Sequence, residues 1–436
     1  MNLSRNQIII IGIIGLVVLF FILMLLGIIP GLKKSGNNGG FGSGTAEQTE
    51  IVFWGVSDAD NSDAIKKMID EYALKGTGIK ITYRVFNSNN YESSLLNALA
   101  TGQAPDIFMF HNSWLSKHSN KVAPIPESYL PLSQFRQLFP TVVEQNFVSA
   151  GRIYSLPLYI DTLAFIYNKD IFDSKSIAVP PKTWQDFQNL ISQLKQVNAL
   201  NQIIKPAAAL GGSEKNINSA SNLLMLLMLQ FGSQMVSQYN EIIFGSEGLS
   251  ALNFYLQFSN PSSSYYTWNQ NLRNSLDSFA EGSTAVIFDY SSSIPLIKAK
   301  NPYINIGVSP MLQTSNPDQN QPINYANYWG LSVSNQSKKQ NAAWNFVFSA
   351  TIDSQISEVY VQTGQKPPAL RSLIEKYKND SNIGVFAKQS LTARSWPQPD
   401  YVTTGQIFSN MLEYVLNGRL NPEQALKQAE NELNSL

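Results

Sequence analysis

Short apolar strands alternate with helix-patterned segments between residues 51 and 110, and this alternation constrains the fold more than any other feature. Between the strands, apolar residues such as Ile65, Met68 and Tyr72 recur at helical spacing. The predicted strands cover residues 51–54, 79–86 and 107–110. This pattern indicates βαβ units, so we predict an α/β domain with a mainly parallel sheet. Ligands bind such sheets beyond the carboxyl ends of the strands.

A second constraint is the uninterrupted apolar run at residues 8–29. As a helix it spans about 33 Å, which matches a hydrocarbon core of about 30 Å. The run is longer than the core of a typical signal peptide and no A-x-A-like cleavage site follows it, so we predict a retained transmembrane helix; a cleaved signal is the alternative. Arg5 before the run and Lys33 after it leave the orientation open.

Glycine, asparagine and serine dominate residues 31–48, which we predict to be a flexible linker. The sequence therefore divides into a membrane anchor at residues 1–30, this linker, and a folded region at residues 49–436. A polar, turn-rich break at residues 314–322 is a candidate crossing point between lobes of that region.

The composition excludes several functional classes. The chain has 31 basic and 31 acidic residues, so it lacks the basic surplus that nucleic-acid binding requires. It contains no cysteine, which excludes disulfides, thiolate metal sites, iron–sulfur clusters and cysteine nucleophiles. With only two histidines a histidine-rich metal site is also excluded, and we predict no cofactor and no metal.

Six segments resemble those of a known family, and they are GRIYSLPLYIDTLAFIYNKDIF from residue 151, PPKTWQDFQNLISQL from 180, NALATGQAPDIFMF from 97, FAEGSTAVIFDYSS from 279, WGLSVSNQSKKQNAAWNFVFSAT from 329 and VYVQTGQKPP from 359. The family they resemble is the family 1 extracellular solute-binding proteins of ABC importers, and the maltose-binding and other sugar-binding members in particular. They occur in the family's order and cover most of residues 50–370.

The resemblance implies a two-lobed, periplasmic-binding-protein-like fold of type II, with a ligand cleft between the lobes and closure by a hinge. The lobes implied are residues 50–160 with 325–365, and residues 162–320 with 366–436. The chain would cross between them near residues 158–163, 320–325 and 363–367. The lipid-modified cysteine of many such proteins is absent here, and the predicted transmembrane helix takes its place. The resemblance also places the binding region on the extracytoplasmic side of the cell membrane.

A cleft for a polar solute needs flat apolar faces and a few polar groups that satisfy ligand hydroxyls. Candidates lie at strand ends, at the first crossover and in loops, where a core role is not obvious from the sequence. For each one the alternative is a structural role, as a lid over the core, a hinge or an ordinary turn. The candidate ligand-binding residues are Trp54, Asn112, Trp114, Tyr159, Asp161, Gly212, Ser213, Trp268, Asp289, Tyr290, Trp329 and Trp396.

We therefore predict a non-enzymatic binding protein that delivers a carbohydrate, in particular an oligosaccharide, to a separate ABC permease. A binding protein for a peptide or another polar solute is the alternative ligand class. A glycoside hydrolase is the rival enzyme class, and Asp161 with Asp289 is the pair of carboxylates that it would use. A structural or adhesive surface protein is a third class. No G-x-S-x-G nucleophile motif occurs, which favours binding without turnover.

Overall fold

The computed structural model describes residues 48–57, 62–200, 202–314 and 321–436. The predicted transmembrane helix and nearly all of the predicted linker lie outside these ranges, as do most residues of the polar break at 314–322. Within the described ranges no helix combines the length and apolar character needed to cross a membrane.

The described chain alternates strands and helices along most of its length. The strands are β1 (Thr49–Val56), β2 (Ile79–Phe86), β3 (Ile107–His111), β4 (Val148–Ser149), β5 (Arg152–Ile153), β6 (Leu156–Pro157), β7 (Asp161–Thr162), β8 (Ala164–Asn168), β9 (Gln196–Val197), β10 (Ile203–Lys205), β11 (Met235–Val236), β12 (Ile242–Ile243), β13 (Val286–Asp289), β14 (Ile306–Ser309), β15 (Asn324–Asn327), β16 (Trp329–Val333) and β17 (Ala393–Arg394).

A short 3-10 segment at Ser119–Lys121 accompanies the α-helices. The helices are α1 (Ser62–Ala73), α2 (Ser88–Ala100), α3 (Leu115–His118), α4 (Leu132–Leu138), α5 (Thr141–Phe147), α6 (Lys169–Ser174), α7 (Trp184–Leu194), α8 (Ala220–Phe231), α9 (Gly245–Leu256), α10 (Ser275–Ala280), α11 (Ser293–Lys300), α12 (Gln340–Thr351), α13 (Ser354–Gly364), α14 (Arg371–Tyr377), α15 (Gly384–Ser390), α16 (Tyr401–Leu416) and α17 (Pro422–Asn434).

The first lobe is built on a five-stranded sheet with the order β2-β1-β3-β16-β6. Strands β1, β2 and β3 are parallel to one another, whereas β16 runs antiparallel to both β3 and β6. The helical spacing noted in the sequence is confirmed in α1, which buries Ile65, Met68 and Tyr72 against this sheet's core. The carboxyl ends of β1–β3 and the amino end of β16 therefore share one edge of the sheet.

The second lobe has its own hydrophobic core around a three-stranded sheet with the order β13-β8-β14. Both outer strands run antiparallel to β8, so the mainly parallel arrangement that was predicted from residues 51–110 does not extend to this lobe. The alternation of strands and helices along the sequence does not determine strand direction. Here β13 and β14 lie on opposite edges of β8, and each runs antiparallel to it. Helix α7 begins with a capping box, in which Thr183 and Asp186 satisfy each other's backbone N–H groups.

A small sheet joins the two cores. Strand β15 pairs antiparallel with β7 and parallel with β17, and a separate bridge links Tyr159 with Pro368. Within β15, Tyr325 belongs to the second core and Ala326 to the first, so the chain passes from one lobe to the other here. Near the C-terminus, Ala369 to Ile383 pack against the first core, whereas α16 and α17 pack against the second. The lobe boundaries inferred from the resemblance, which assigned residues 366–436 to the second lobe, stay a prediction.

Candidate ligand-binding cleft

Five aromatic side chains gather at the sheet edge of the first lobe, and we call them the aromatic wall. They are Trp54, Phe86, Tyr91, Trp114 and Trp329. The rings of Trp54 and Phe86 lie 4.2 Å apart between centroids, and Trp114 stacks on Tyr91 at 6.0 Å. Trp329 meets the edge of Trp114 at 5.2 Å. They meet because the carboxyl ends of β1–β3 and the amino end of β16 lie at the same edge.

The second lobe contacts this region through Tyr401, the first residue of α16. Its ring lies 4.1 Å from that of His111, which in turn meets Trp329 at 4.9 Å. Asn327 bridges the two, since its Nδ2 donates to the Tyr401 hydroxyl at 2.9 Å and its Oδ1 lies 2.8 Å from His111 Nε2. Burial lowers the pKa of His111 to about 4, so the ring is neutral at physiological pH.

An ion pair joins the lobes beside this contact. Lys117 of the first lobe bonds to Asp400, the residue that caps α16, and also to Glu92 at 2.8 Å. Burial alone would raise the pKa of Asp400, but the hydrogen bonds from Lys117 and Thr403 and the charge of Lys117 together outweigh it, and the pKa is lowered. His118 Nε2 lies 2.7 Å from the same Glu92 oxygen. The charged groups at the cleft therefore compensate one another.

On the second lobe, Asp289 ends β13 and is buried. It accepts hydrogen bonds from Asn218 Nδ2 at 2.7 Å and from Ser219 Oγ at 3.0 Å. Burial raises its pKa to about 6, and the neighbouring Asp161 contributes in the same direction. The adjacent Tyr290 is also buried, and its hydroxyl has no hydrogen-bond partner among the described residues.

Asp161 lies in β7, where the lobes join. Its carboxylate accepts from the Ser291 N–H at 3.0 Å, from Ser291 Oγ at 2.7 Å and from the Ser292 N–H at 3.3 Å. Burial raises its pKa, while the charge of Lys366 and these hydrogen bonds act in the opposite direction. Asp161 therefore holds the start of α11 against the joining sheet.

Tyr159, the other candidate residue near the first predicted crossing between the lobes, packs in the first core. Its ring stacks on Tyr360 at 6.3 Å, and Lys366 Nζ lies 4.9 Å from the ring centroid. Lys366 is 8% exposed, so a cation–π contact stabilises a largely buried ammonium group at the joint between the lobes.

Gly212 and Ser213 are committed to contacts within the second lobe. The Gly212 carbonyl accepts from the Tyr255 hydroxyl at 2.8 Å, and Ser213 Oγ bonds to Glu413. The preceding Gly211 has φ +93°, and a Cβ there would lie 2.8 Å from the Ser259 backbone nitrogen. Chain geometry therefore requires glycine at position 211 independently of any ligand.

Two predicted tryptophans lie in the core of the second lobe and away from the aromatic wall. Trp268 is fully buried and donates from Nε1 to Asn216 Oδ1 at 3.2 Å. Trp396 packs against Phe244 and Phe408. Both rings therefore fill the second core and do not contact the aromatic wall.

Asn112 also points away from the wall. Its Nδ2 donates to Asn146 Oδ1 at 3.4 Å, whereas the preceding His111 faces Tyr401. The structure thus brings Trp54, Trp114 and Trp329 together, and it separates Asn112 from them.

Sequence reasoning missed four residues of the cleft: Phe86, Tyr91, His111 and Tyr401. Phe86 ends the predicted strand 79–86 at the sheet edge where ligands are expected to bind, so the sequence could have indicated it as a cleft residue. Tyr91 could not be found in this way, because it lies in a helix and not at the end of a strand. It reaches the wall because its hydroxyl donates to the Trp54 and Met109 carbonyls, and these contacts exist only in the folded protein. Tyr401 could not be found either, since it lies 290 positions after His111 in the sequence.

Comparison with known proteins gives the family. The sequence model described as bacterial extracellular solute-binding protein matches residues 58–350. The maltotriose-binding protein of Pyrococcus abyssi is 23% identical over 149 residues, which cover 34% of this chain and 31% of that protein. The melibiose/raffinose/stachyose-binding protein MelE of Bacillus subtilis is 24% identical over 179 residues, covering 41% and 39%. The chain thus spans between 31% and 39% of the length of these two curated relatives.

Solved structures agree on the fold. The cyclic α-maltosyl-1,6-maltose binding protein of Arthrobacter globiformis superposes with a TM-score of 0.73 at 18% identity, covering 89% of this chain and 98% of that one. An ABC transporter solute-binding protein of Thermotoga lettingae, bound with α-D-tagatose, superposes with a TM-score of 0.71 at 22% identity, covering 89% of this chain and 99% of that one. The chain therefore belongs to the bacterial extracellular solute-binding proteins and has their two-lobed, periplasmic-binding-protein-like α/β fold.

Proposed function

We propose that this chain is the extracytoplasmic substrate-binding component of an ABC importer and that it binds an oligosaccharide between its lobes. The observation that carries the proposal is the aromatic wall of the first lobe, with Tyr401 of the second lobe placed against its margin at His111. The relatives named for maltotriose and for melibiose, raffinose and stachyose support this ligand class.

The chemistry of the wall suits sugar rings. Aromatic faces cover the apolar C–H surfaces of a pyranose, while polar groups at their margins bond to its hydroxyls. On the first lobe, Asn327 Nδ2 has a second N–H for such a bond, whereas both ring nitrogens of the neutral His111 already bond to Ser113 and Asn327. On the second lobe, the Tyr290 hydroxyl is buried and lacks a partner among the described residues, and we propose that a ligand hydroxyl supplies one. A neutral polyol fits these groups better than a charged peptide terminus.

Binding without turnover is part of the proposal. A glycosidase needs one carboxyl group that donates a proton and a second that attacks or activates water. Asp161 is fully engaged with Ser291 and Ser292, and Asp289 with Asn218 and Ser219. Both carboxylates therefore act as structural acceptors, and we expect that incubation with oligosaccharides releases no smaller sugar.

We also propose that residues 8–29 are a retained transmembrane anchor and that the lobes face the extracytoplasmic side, where they deliver ligand to separate permease subunits. The apolar length of the run supports the anchor. Alkaline extraction of membranes tests it. The full chain should stay in the membrane pellet, and release into the supernatant together with a shortened N-terminus would instead indicate a cleaved signal.

A thermal-shift screen of residues 48–436 tests the ligand class, since these residues form one compact unit with two hydrophobic cores. Bound ligand raises the unfolding temperature by mass action. We expect a shift with oligosaccharides of two to four units and none with short peptides. A response to peptides alone would overturn the carbohydrate assignment.

Matched variants locate the site. Trp329→Ala removes part of the aromatic wall, whereas Tyr303→Ala removes a ring that is 94% exposed on the second lobe. The Trp329→Ala protein should lose most of the sugar-induced shift and the Tyr303→Ala protein should keep it. Equal behaviour of the two variants would contradict the proposed site.

A further inference from the structure

A cavity of about 740 Å³ lies away from the aromatic wall, on the other side of the segment that follows β3. Its lining includes Asn112, Ser113 and Asn146 of the first lobe, together with Gln321, Pro322 and residues of the segment 391–397. His111 faces Tyr401 and the wall, while the next residue, Asn112, faces Asn146 in this cavity. The cavity is therefore separate from the proposed oligosaccharide site, and nothing in that proposal uses it.

Its lining has a distinct chemistry. Most of the lining residues carry hydroxyl or amide groups. Among the described residues that line it, Arg394 is the only one with a charge, and it forms no ion pair with another described residue. A guanidinium presents a planar fork of donors that matches carboxylate and phosphate groups. The described lining thus offers one strong anion-binding group among many neutral hydrogen-bonding groups.

The inner wall is held in place before any ligand arrives. Asn146, which is 7% exposed, accepts from the Tyr328 hydroxyl at 2.8 Å and donates from Nδ2 to Ser395 Oγ at 2.6 Å. The backbone of Arg394 is fixed because β17 pairs with β15, with Arg394 opposite Tyr325. Groups that are fixed in this way lose little freedom when they bind a ligand.

We propose that this cavity is a second binding site, specific for a small hydroxylated anion such as a sugar phosphate or a sugar acid. Arg394 pairs with the anionic group, while the hydroxyl and amide side chains of the lining bond to the ligand's hydroxyls. The volume lies within the range of about 300–1,000 Å³ that small-molecule sites occupy. The neutral aromatic wall and this cavity would therefore select different ligands on one protein.

Isothermal titration of residues 48–436 with glucose 6-phosphate, gluconate and glucose tests the proposal. We expect both anions to bind and neutral glucose to bind at least tenfold more weakly at this site. Arg394→Gln should weaken the binding of the anions by about tenfold or more, since it removes the charge and keeps a polar side chain. Arg84→Gln removes an exposed charge from β2, outside the cavity, and should leave their binding unchanged.

Trp329→Ala, which alters the aromatic wall, distinguishes anion binding in this cavity from oligosaccharide binding in the cleft. In Trp329→Ala the anions should bind as they do to the unaltered protein, even where oligosaccharide binding is lost. Failure of both anions to bind, equal binding by Arg394→Gln, or loss of anion binding in Trp329→Ala would each overturn the second site. An unchanged thermal unfolding midpoint in Arg394→Gln excludes loss of the fold as the cause of weaker binding.

Discussion

The ion pair between Lys117 and Asp400 gives the sharpest test of how the lobes are held together. It connects α3 of the first lobe to the start of α16 in the second, next to the contact between His111 and Tyr401. Asp400 also caps α16 by accepting from the Thr403 N–H at 2.8 Å. Asp400→Asn removes the charge and keeps a good capping residue, since asparagine and aspartate are comparable at this position.

The free energy that this ion pair contributes depends on how far solvent reaches the two side chains. The Lys117 side chain is 37% exposed and that of Asp400 is 16% exposed, so solvent screens the pair only in part. Exposed pairs contribute roughly 0.2–1 kcal/mol, and this one belongs near the upper value. If the lobes open and close about a hinge, as the family resemblance implies, loss of about 1 kcal/mol changes the ratio of closed to open lobes about fivefold. If the ligand binds across the closed lobes, its Kd should rise by up to about fivefold.

A matched pair within one lobe provides the control. Asp353 caps α13 by accepting from the Gln355 N–H at 3.0 Å, and its side chain pairs with Lys75. Both residues belong to the first lobe, and their side chains are 29% and 38% exposed. Asp353→Asn should therefore lower stability about as much as Asp400→Asn does, without any change in ligand affinity.

Calorimetric titration of both variants, at low salt and at 1 M NaCl, decides the question. The difference in affinity between Asp400→Asn and the unaltered protein should shrink at high salt, because the Debye length falls to about 3 Å. Equal affinities at low salt, or the same loss of affinity in Asp353→Asn, would refute a role for the ion pair in holding the lobes together.

Two further predictions follow from buried groups. Trp268→Phe removes the bond to Asn216 and should lower the unfolding free energy by about 1–3 kcal/mol in urea, while leaving oligosaccharide affinity unchanged; a tenfold rise in Kd would instead indicate ligand contact. Because burial raises the pKa of Asp289 to about 6, the folded protein binds this proton more tightly than the unfolded chain does. The stability that Asp289 contributes is therefore present below about pH 4 and is lost as pH rises through about pH 6, by about 3 kcal/mol. The unfolding free energy of Asp289→Asn should lack this pH dependence. A difference in unfolding free energy between the two proteins that stays constant from pH 4 to pH 7 would contradict the prediction.

Local features of the fold could be predicted from the sequence because they depend on neighbouring residues. Helical spacing of Ile65, Met68 and Tyr72 identified α1. The direction of the strands in the second lobe could not be predicted. It depends on which edges of β8 the distant strands β13 and β14 occupy, and no local pattern encodes that choice.

The candidate site was predicted in part for the same reason. Trp54 and Trp114 were predicted because each follows a strand at the sheet edge where ligands bind. Trp268 shows the opposite case, since a polar loop in the sequence conceals a residue that folds into the core. Tyr401 became a candidate only when the fold placed the start of α16 against His111. A contact between the lobes therefore accounts for the pairing of His111 with Tyr401, which sequence reasoning missed.

The central claim is that an oligosaccharide binds on the aromatic wall between the lobes, and calorimetric titration with maltotriose tests it most directly. Trp329 contacts Trp114, Tyr91 and His111, so its ring is central to the wall. We expect saturable binding of maltotriose to residues 48–436 and a loss of at least tenfold in affinity for Trp329→Ala. If oligosaccharides of two to four units bind with the same affinity to Trp329→Ala as to the unaltered protein, the ligand lies elsewhere and the account is wrong.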